Sequence, residues 1–165
     1  MCVFRKATPE DLEEIWTFTS AAAIKMQEQG IFQWDECYPM KEDFQEDINK
    51  SQLYVGMIDG RIAVVYALNQ ECEEDYKNGD WKYLSGPFYF LHRLCVNPAF
   101  QNQGIGKAAM LHMEKESKAM GARGIRLDVF QGNPYSLRLY EGMGYTRAGS
   151  VAWRMGTFYF LEKRI

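Results

Sequence analysis

Between Phe88 and Phe130 the chain runs strand, glycine turn, helix, strand without a break, and few folds accept that order. FYFLHRLCV at 88–96 is an aromatic and aliphatic run suited to a central strand. Pro98 ends its regular pairing. Gln101-Asn102-Gln103-Gly104-Ile105-Gly106 then leads straight into a helix, in which Ala108, Leu111, Met113 and Met120 mix with charged residues until Gly121. GIRLDVF at 124–130 is the next strand. Asn133 and Pro134 suit the cap and first turn of another helix, ending near Gly142. This order predicts an α/β protein with a mixed central sheet.

The flanks fill in the same architecture. Residues 2–7 read as a short strand, and Thr8-Pro9 with Asp11 is a helix start with the acid of a capping box. Leu12, Ile15, Trp16, Thr19, Ala22, Ala23 and Met26 recur at helical spacing, and Gly30 is the expected stop. Residues 30–39 hold Phe32, Trp34 and Tyr38 among polar neighbours, either as a cluster over the core edge or as the wall of a pocket. A helix over 41–50 and strands over 52–58 and 61–68 follow, the strands joined by Asp59-Gly60. Residues 69–85, rich in Glu and Asp, read as a solvated insertion, and 145–150 and 155–163 as two closing strands. The 165 residues are expected to form a single domain over 1–165.

The glycine turn carries the chemical signal. Glycine lets the backbone take positive φ and lets a ligand approach without a Cβ clash. A helix N-terminus adds unpaired N–H groups and the positive end of the helix dipole, which suits a phosphate group. Gln101 to Arg126 holds five basic residues and two acids, in a chain of net charge -3. A P-loop is excluded because Gly104-Ile105-Gly106-Lys107 is followed by Ala108 and lacks the required spacing and hydroxyl. A dinucleotide fingerprint fails because Ala109 stands where its third glycine belongs.

Composition narrows the partners. Nothing in the charge balance points to nucleic acid, and no apolar stretch is long enough to span a membrane. The N-terminus has no apolar signal-peptide core. Cys2, Cys37, Cys72 and Cys95 are widely spaced, as expected of reduced thiols in a cytoplasmic protein. With only His92 and His112 beside them, no metal site is expected; His112 is expected at the surface.

On these residues the sequence resembles the GNAT family of N-acetyltransferases. That family's pyrophosphate motif, Gln/Arg-x-x-Gly-x-Gly/Ala, corresponds here to Gln101-Asn-Gln-Gly104-Ile-Gly106. Its preceding strand ends in a hydrophobic–x–hydrophobic–x–Pro pattern, here Leu94-Cys-Val96-Asn-Pro98. Its later Asn, hydrophobic–Tyr and Gly-aromatic signals match Asn133, Leu139-Tyr140 and Gly144-Tyr145. The resemblance implies a mixed, mostly antiparallel central sheet of about seven strands with about four helices on both faces.

The resemblance also implies roles. Acetyl-CoA is the cosubstrate. The backbone of Leu94, Cys95 and Val96 pairs with the pantetheine arm. Gln101, Gln103, Gly104, Ile105, Gly106 and Lys107 form the pyrophosphate cradle, and Asn133 contacts the pantetheine region. A neutral amine attacks the thioester directly in a ternary complex. The Val96 N–H is the candidate oxyanion donor and Tyr140 the candidate acid for the leaving thiolate. Asp128 is the candidate base, with Glu28 a weaker one, and a structural hydrogen bond is the competing role for Asp128. Cys95 has no triad around it, which argues against a covalent acetyl-enzyme. Glu28, Phe32, Trp34 and Tyr38 are the expected acceptor contacts, and the acceptor class is a primary amine of a small molecule or peptide. Trp153 and Arg154 are expected either to narrow the pocket or to form a dimer contact, so monomer and homodimer both stay open. A longer acyl-CoA and a non-catalytic acyl-CoA sensor remain alternatives.

Overall fold

The computed structural model describes residues 1–165. Seven strands form one sheet: β1 (Val3–Lys6), β2 (Leu53–Ile58), β3 (Arg61–Asn69), β4 (Phe88–Val96), β5 (Gly124–Phe130), β6 (Thr146–Trp153) and β7 (Gly156–Arg164), in the order β1-β2-β3-β4-β5-β7-β6. β1–β2, β2–β3, β5–β7 and β6–β7 pair antiparallel, and β4–β5 pair in parallel. Four α-helices accompany the sheet: α1 (Leu12–Glu28), α2 (Lys41–Asn49), α3 (Ile105–Ala119) and α4 (Pro134–Gly142). The mixed, mostly antiparallel α/β fold expected from sequence is therefore found. No helix is long and apolar enough to cross a membrane. Two compact units are distinguished: Met1–Leu68 with His92–Met113, and Asn69–Leu91 with Glu114–Ile165.

In the first unit, local chemistry sets the element ends. A 3-10 turn over Pro9–Asp11 precedes α1, and the Thr8 N–H donates to Asp11 Oδ2 at 2.7 Å. α1 ends in a Schellman motif: the Gly30 N–H donates to the Gln27 carbonyl, and the Ile31 N–H to that of Met26. Gly30 makes this possible at φ 78°. Asp59 and Gly60 both take positive φ, 48° and 76°, as a two-residue type I′ hairpin turn requires. The buried stripe of α1 is Ile15, Phe18, Thr19 and Ala22. It packs with Trp34, Phe44, Ile48, Leu53, Val55, Ile62 and Val65 into one core. His112 departs from the surface expectation. Its ring stacks on Phe4 with centroids 4.4 Å apart, and Nδ1 lies 2.7 Å from the Tyr66 hydroxyl oxygen.

Asp11 also accepts two hydrogen bonds from Arg5, at 2.7 and 2.9 Å. The Arg5 bond chiefly lowers its pKa; burial opposes this and the Thr8 N–H assists. Asp11→Asn is expected to cost about 1 kcal/mol at neutral pH, a modest figure because Arg5 is partly solvated. A depressed native pKa contributes stability that is present above the unfolded carboxylate value and lost as pH falls through the native one. Urea midpoints of the two proteins should therefore converge as the pH drops below about 4.

In the second unit, the segment expected to be a solvated insertion carries its own core. A 3-10 turn over Glu74–Asn78 buries Tyr76, which packs with Phe90, Ala148 and Phe160, flanked by Trp81, Phe88, Val151 and Trp153. The sequence conceals this core because the acids around Tyr76 and Trp81 dominate the local composition. Trp153, expected at a pocket or dimer contact, belongs to this cluster, and its Nε1–H donates to Asp75 Oδ2 at 2.7 Å. The Arg126 guanidinium lies 3.7 Å from the Phe88 ring centroid and 4.3 Å from that of Trp81. β6 and β7 run to Trp153 and Arg164, slightly beyond the expected 150 and 163.

Candidate functional site

β4 begins as a regular strand, with Phe88, Tyr89 and Phe90 paired to Gly124, Ile125 and Arg126. That parallel ladder stops at Phe90, while β4 continues to Val96. Beyond Phe90 the strand is irregular. Phe90 and Leu91 are both buried, so the alternation slips, and Arg93 takes φ 52°. A left-handed non-glycine residue costs on the order of 1–2 kcal/mol, so surrounding contacts must hold it there. Those contacts are visible. Arg93 Nε and Nη2 each donate to the Asp47 carboxylate at 2.7 Å, and Nη1 donates to the Tyr38 hydroxyl at 2.9 Å. Burial raises the Asp47 carboxyl above its usual range, with Arg93 opposing. Burial also works against the Arg93 charge, but Tyr38 and Asp47 outweigh it and its pKa is raised.

The far end of β4 is tied down by Asn97. Its N–H donates to the Ala63 carbonyl, its Nδ2 to the Ile62 carbonyl at 2.9 Å, and its Oδ1 accepts from the Ala99 N–H. Leu94 and Val96 are half-buried and Cys95 between them is buried. Burial pushes the Cys95 thiol up to about 12, so it stays protonated at neutral pH and is a poor nucleophile.

The glycine turn follows. Asn102 and Gly104 take φ 61° and 74°, and a Cβ added to Gly104 would meet nothing within 4 Å. The first helical bond runs from the Ala108 N–H to the Gly104 carbonyl. The N–H groups of Ile105, Gly106 and Lys107 therefore come before any acceptor in the helix. Gln103, Gly104 and Lys107 are exposed. Gln101 is engaged from α1, where Lys25 Nζ donates to its Oε1 at 2.6 Å. Sequence reasoning missed that contact.

The structure separates the expected acceptor residues. Phe32 is 58% exposed and Tyr38 40%, whereas Trp34 is 5% exposed and part of the core. For Trp34 the core-edge reading prevails over the pocket-wall reading. Glu28 is exposed in the last turn of α1. Two acids of α2 are engaged within the fold. Asp47 is buried against Arg93, and Asp43 accepts from the Met40 N–H at the start of α2.

In the second unit, α4 starts and stops by local rules. Asn133 caps it, its Oδ1 accepting from the Ser136 N–H at 3.1 Å. A Schellman motif ends it: Gly144, at φ 92°, donates to the Glu141 carbonyl, and the Tyr145 N–H donates to the Tyr140 carbonyl. The Tyr140 and Tyr145 rings then meet edge-on at 6.2 Å, supplying the apolar contact that accompanies such caps. The Gly-Tyr pair seen in the sequence is thus the device that seats Tyr140. Tyr140 is 7% exposed, and burial first, then the Asp128 charge, raises its pKa well above the usual phenol value. Asp128 itself accepts a 2.6 Å hydrogen bond from the Tyr76 hydroxyl. The structural role weighed for Asp128 is therefore present. Tyr76 was invisible to pattern reasoning, although an aromatic inside an acidic segment was its one signal.

Comparison with known proteins identifies the family. Residues 12–145 match the acetyltransferase (GNAT) family. A stretch of 58 residues is 33% identical to the ribosomal protein bS18-alanine N-acetyltransferase of Escherichia coli K12, covering 35% of this chain and 39% of that enzyme. The matched stretch thus spans about two-fifths of that relative's length. Two solved structures share the fold across nearly the whole chain. An acetyltransferase of the GNAT family from Streptococcus agalactiae superposes with a TM-score of 0.85 at 22% identity, over 99% of this chain and 95% of that one. The ribosomal-protein-S18-alanine N-acetyltransferase from Escherichia coli gives 0.70 at 17%, over 100% and 94%. The match over most of the chain, together with the strand, turn and capped tyrosine described above, places this chain in the acetyltransferase (GNAT) family.

Proposed function

We propose that this protein transfers an acetyl group from acetyl-CoA to a primary amine of a small molecule or peptide, by direct attack in a ternary complex. The observation that carries the reading is the glycine turn. Positive φ at Gly104, open space above it and three N–H groups without a helical acceptor fit a pyrophosphate group. The end of the β4–β5 ladder at Phe90 supports it further, because main-chain groups of Leu94–Val96 are not taken up by pairing with β5. These suit strand-like pairing with an extended amide arm. The relative named for acetylating an alanine of a ribosomal protein supports peptide amines as one acceptor class.

Acetyl-CoA supplies the activated acetyl group; the chain supplies binding and proton control. Ile105, Gly106 and Lys107 donate backbone N–H groups to the phosphates. The Val96 N–H donates to the thioester oxygen as negative charge develops there. Tyr140, kept protonated by burial, gives its proton to the departing sulfur, and the proton lost from the attacking nitrogen restores the phenol. Cys95, buried and protonated, takes no covalent part.

Calorimetric titration with acetyl-CoA, with ATP and NAD as controls, tests the cofactor. Free-thiol release with spermidine, tyramine and an alanine-initiated pentapeptide tests the transfer. Acetyl-CoA binding alone among the three, followed by thiol release with a panel amine, is expected. A folded sample that does not bind acetyl-CoA overturns the reading. Binding with no thiol release leaves a sensor in place of an enzyme.

A further inference from the structure

We infer that Arg93 is a positioning residue for amine acceptance, fixing the Tyr38 ring as one wall of the acceptor site. The inference rests on the acetyltransferase reading above. The loop between α1 and α2 is anchored by buried Ile31, Trp34 and Pro39, yet it turns Phe32, Tyr38 and Met40 outward. Tyr38 is 40% exposed, and polar contacts fix it in place. Its N–H donates to Asp35 Oδ1 at 3.1 Å, its carbonyl accepts from the Asp35 N–H at 3.0 Å, and its hydroxyl accepts from Arg93 at 2.9 Å.

Arg93 transmits orientation. Its fork grips Asp47 of α2 through Nε and Nη2, which sets the plane of the guanidinium and aims Nη1 at Tyr38. A lysine cannot make both contacts in fixed geometry. Stability alone is a poor reason for this arrangement. Buried ion pairs contribute little net stability compared with apolar packing, and the positive φ of Arg93 adds cost. What an apolar pair cannot provide is a rigid polar link from β4 to an exposed ring. Arg93 immediately precedes Leu94–Val96, the segment assigned to the thioester. An amine resting on Tyr38 is therefore referenced to the strand that orients the acetyl group, where small misplacements cost rate.

Tyr38→Phe, Arg93→Lys and the double variant test this with the panel amine that gives the highest kcat/KM, alongside acetyl-CoA affinity by calorimetry and thermal midpoints. Tyr38→Phe keeps the Asp47–Arg93 pair, and it should keep its midpoint and acetyl-CoA affinity while amine KM rises about five- to tenfold. Arg93→Lys should raise amine KM by a similar factor. The double variant should show no further rise, because both changes break one link. An unchanged amine KM in Tyr38→Phe overturns the inference, as does a multiplicative loss in the double variant. A fall in acetyl-CoA affinity in Tyr38→Phe also overturns it, since Tyr38 would then serve the cofactor. Failure of the unmodified chain to bind acetyl-CoA or to release thiol defeats the acetyltransferase reading first, and is scored before any variant.

Discussion

Tyr140→Phe is expected to lower turnover by about 100-fold or more while leaving acetyl-CoA affinity nearly unchanged. The expectation follows from what the hydroxyl does and what the ring does. The ring packs edge-on against Tyr145, and the Tyr140 carbonyl takes part in the cap that ends α4. Phenylalanine keeps both, so fold and cofactor binding should survive. Only the proton donor is lost. Burial, and then the Asp128 charge, hold the Tyr140 pKa above its usual value, so the group is fully protonated at neutral pH. A raised pKa preserves the acid form further into alkali. In the unmodified protein, kcat at saturating substrates should therefore not decline through loss of this proton up to about pH 10. The measurement is steady-state thiol release by both proteins across that range. Equal rates for the two would remove Tyr140 as the acid.

Gly104→Asp should abolish useful acetyl-CoA binding, raising the dissociation constant about 100-fold or more while the protein stays folded. Two physical effects separate binding from folding here. A Cβ at Gly104 meets no atom within 4 Å, so the side chain fits sterically, and Asp is among the residues that best tolerate the left-handed conformation. A carboxylate before the first turn of α3 also satisfies N–H groups and the helix dipole, which offsets the conformational cost. The same carboxylate occupies the space and the donors assigned to the pyrophosphate, and repels its charge. Calorimetry should show lost binding with a thermal midpoint shifted by only a few degrees. Retained affinity would mean that the turn at Gly104 is not the phosphate cradle.

The parts of this protein legible in its sequence are those governed by neighbours a few residues apart. Gly30, Gly121 and Gly144 all take positive φ and end helices, because the C-terminal cap demands a left-handed residue that glycine alone adopts cheaply. Asp59-Gly60 makes its hairpin for the same reason. Thr8 with Asp11 and Asn133 with Ser136 cap their helices across three residues. The glycine turn is legible because its function, exposing main-chain N–H groups, needs only backbone conformation and the start of a helix. α4 ends at Gly142 as expected, and Gly144, two residues on, supplies the left-handed cap.

Contacts across long stretches of chain followed another logic. Arg93 meets Asp47 across 46 positions and Tyr38 across 55, and Tyr76 meets Asp128 across 52. No periodicity or spacing rule reaches that far. Tyr76 sits among acids that made its segment look solvated, and Trp34 lies beside two exposed aromatics that made it look like a pocket wall. Which aromatic is buried, which carboxylate meets a guanidinium and which tyrosine supports Asp128 depend on desolvation, and desolvation is settled only when distant elements pack. The order of strands and helices, the caps, the hairpin and the glycine turn were written in local chemistry. The partners of Arg93, Asp128, His112 and Gln101 exist only because the sheet and helices bring remote side chains within hydrogen-bonding distance.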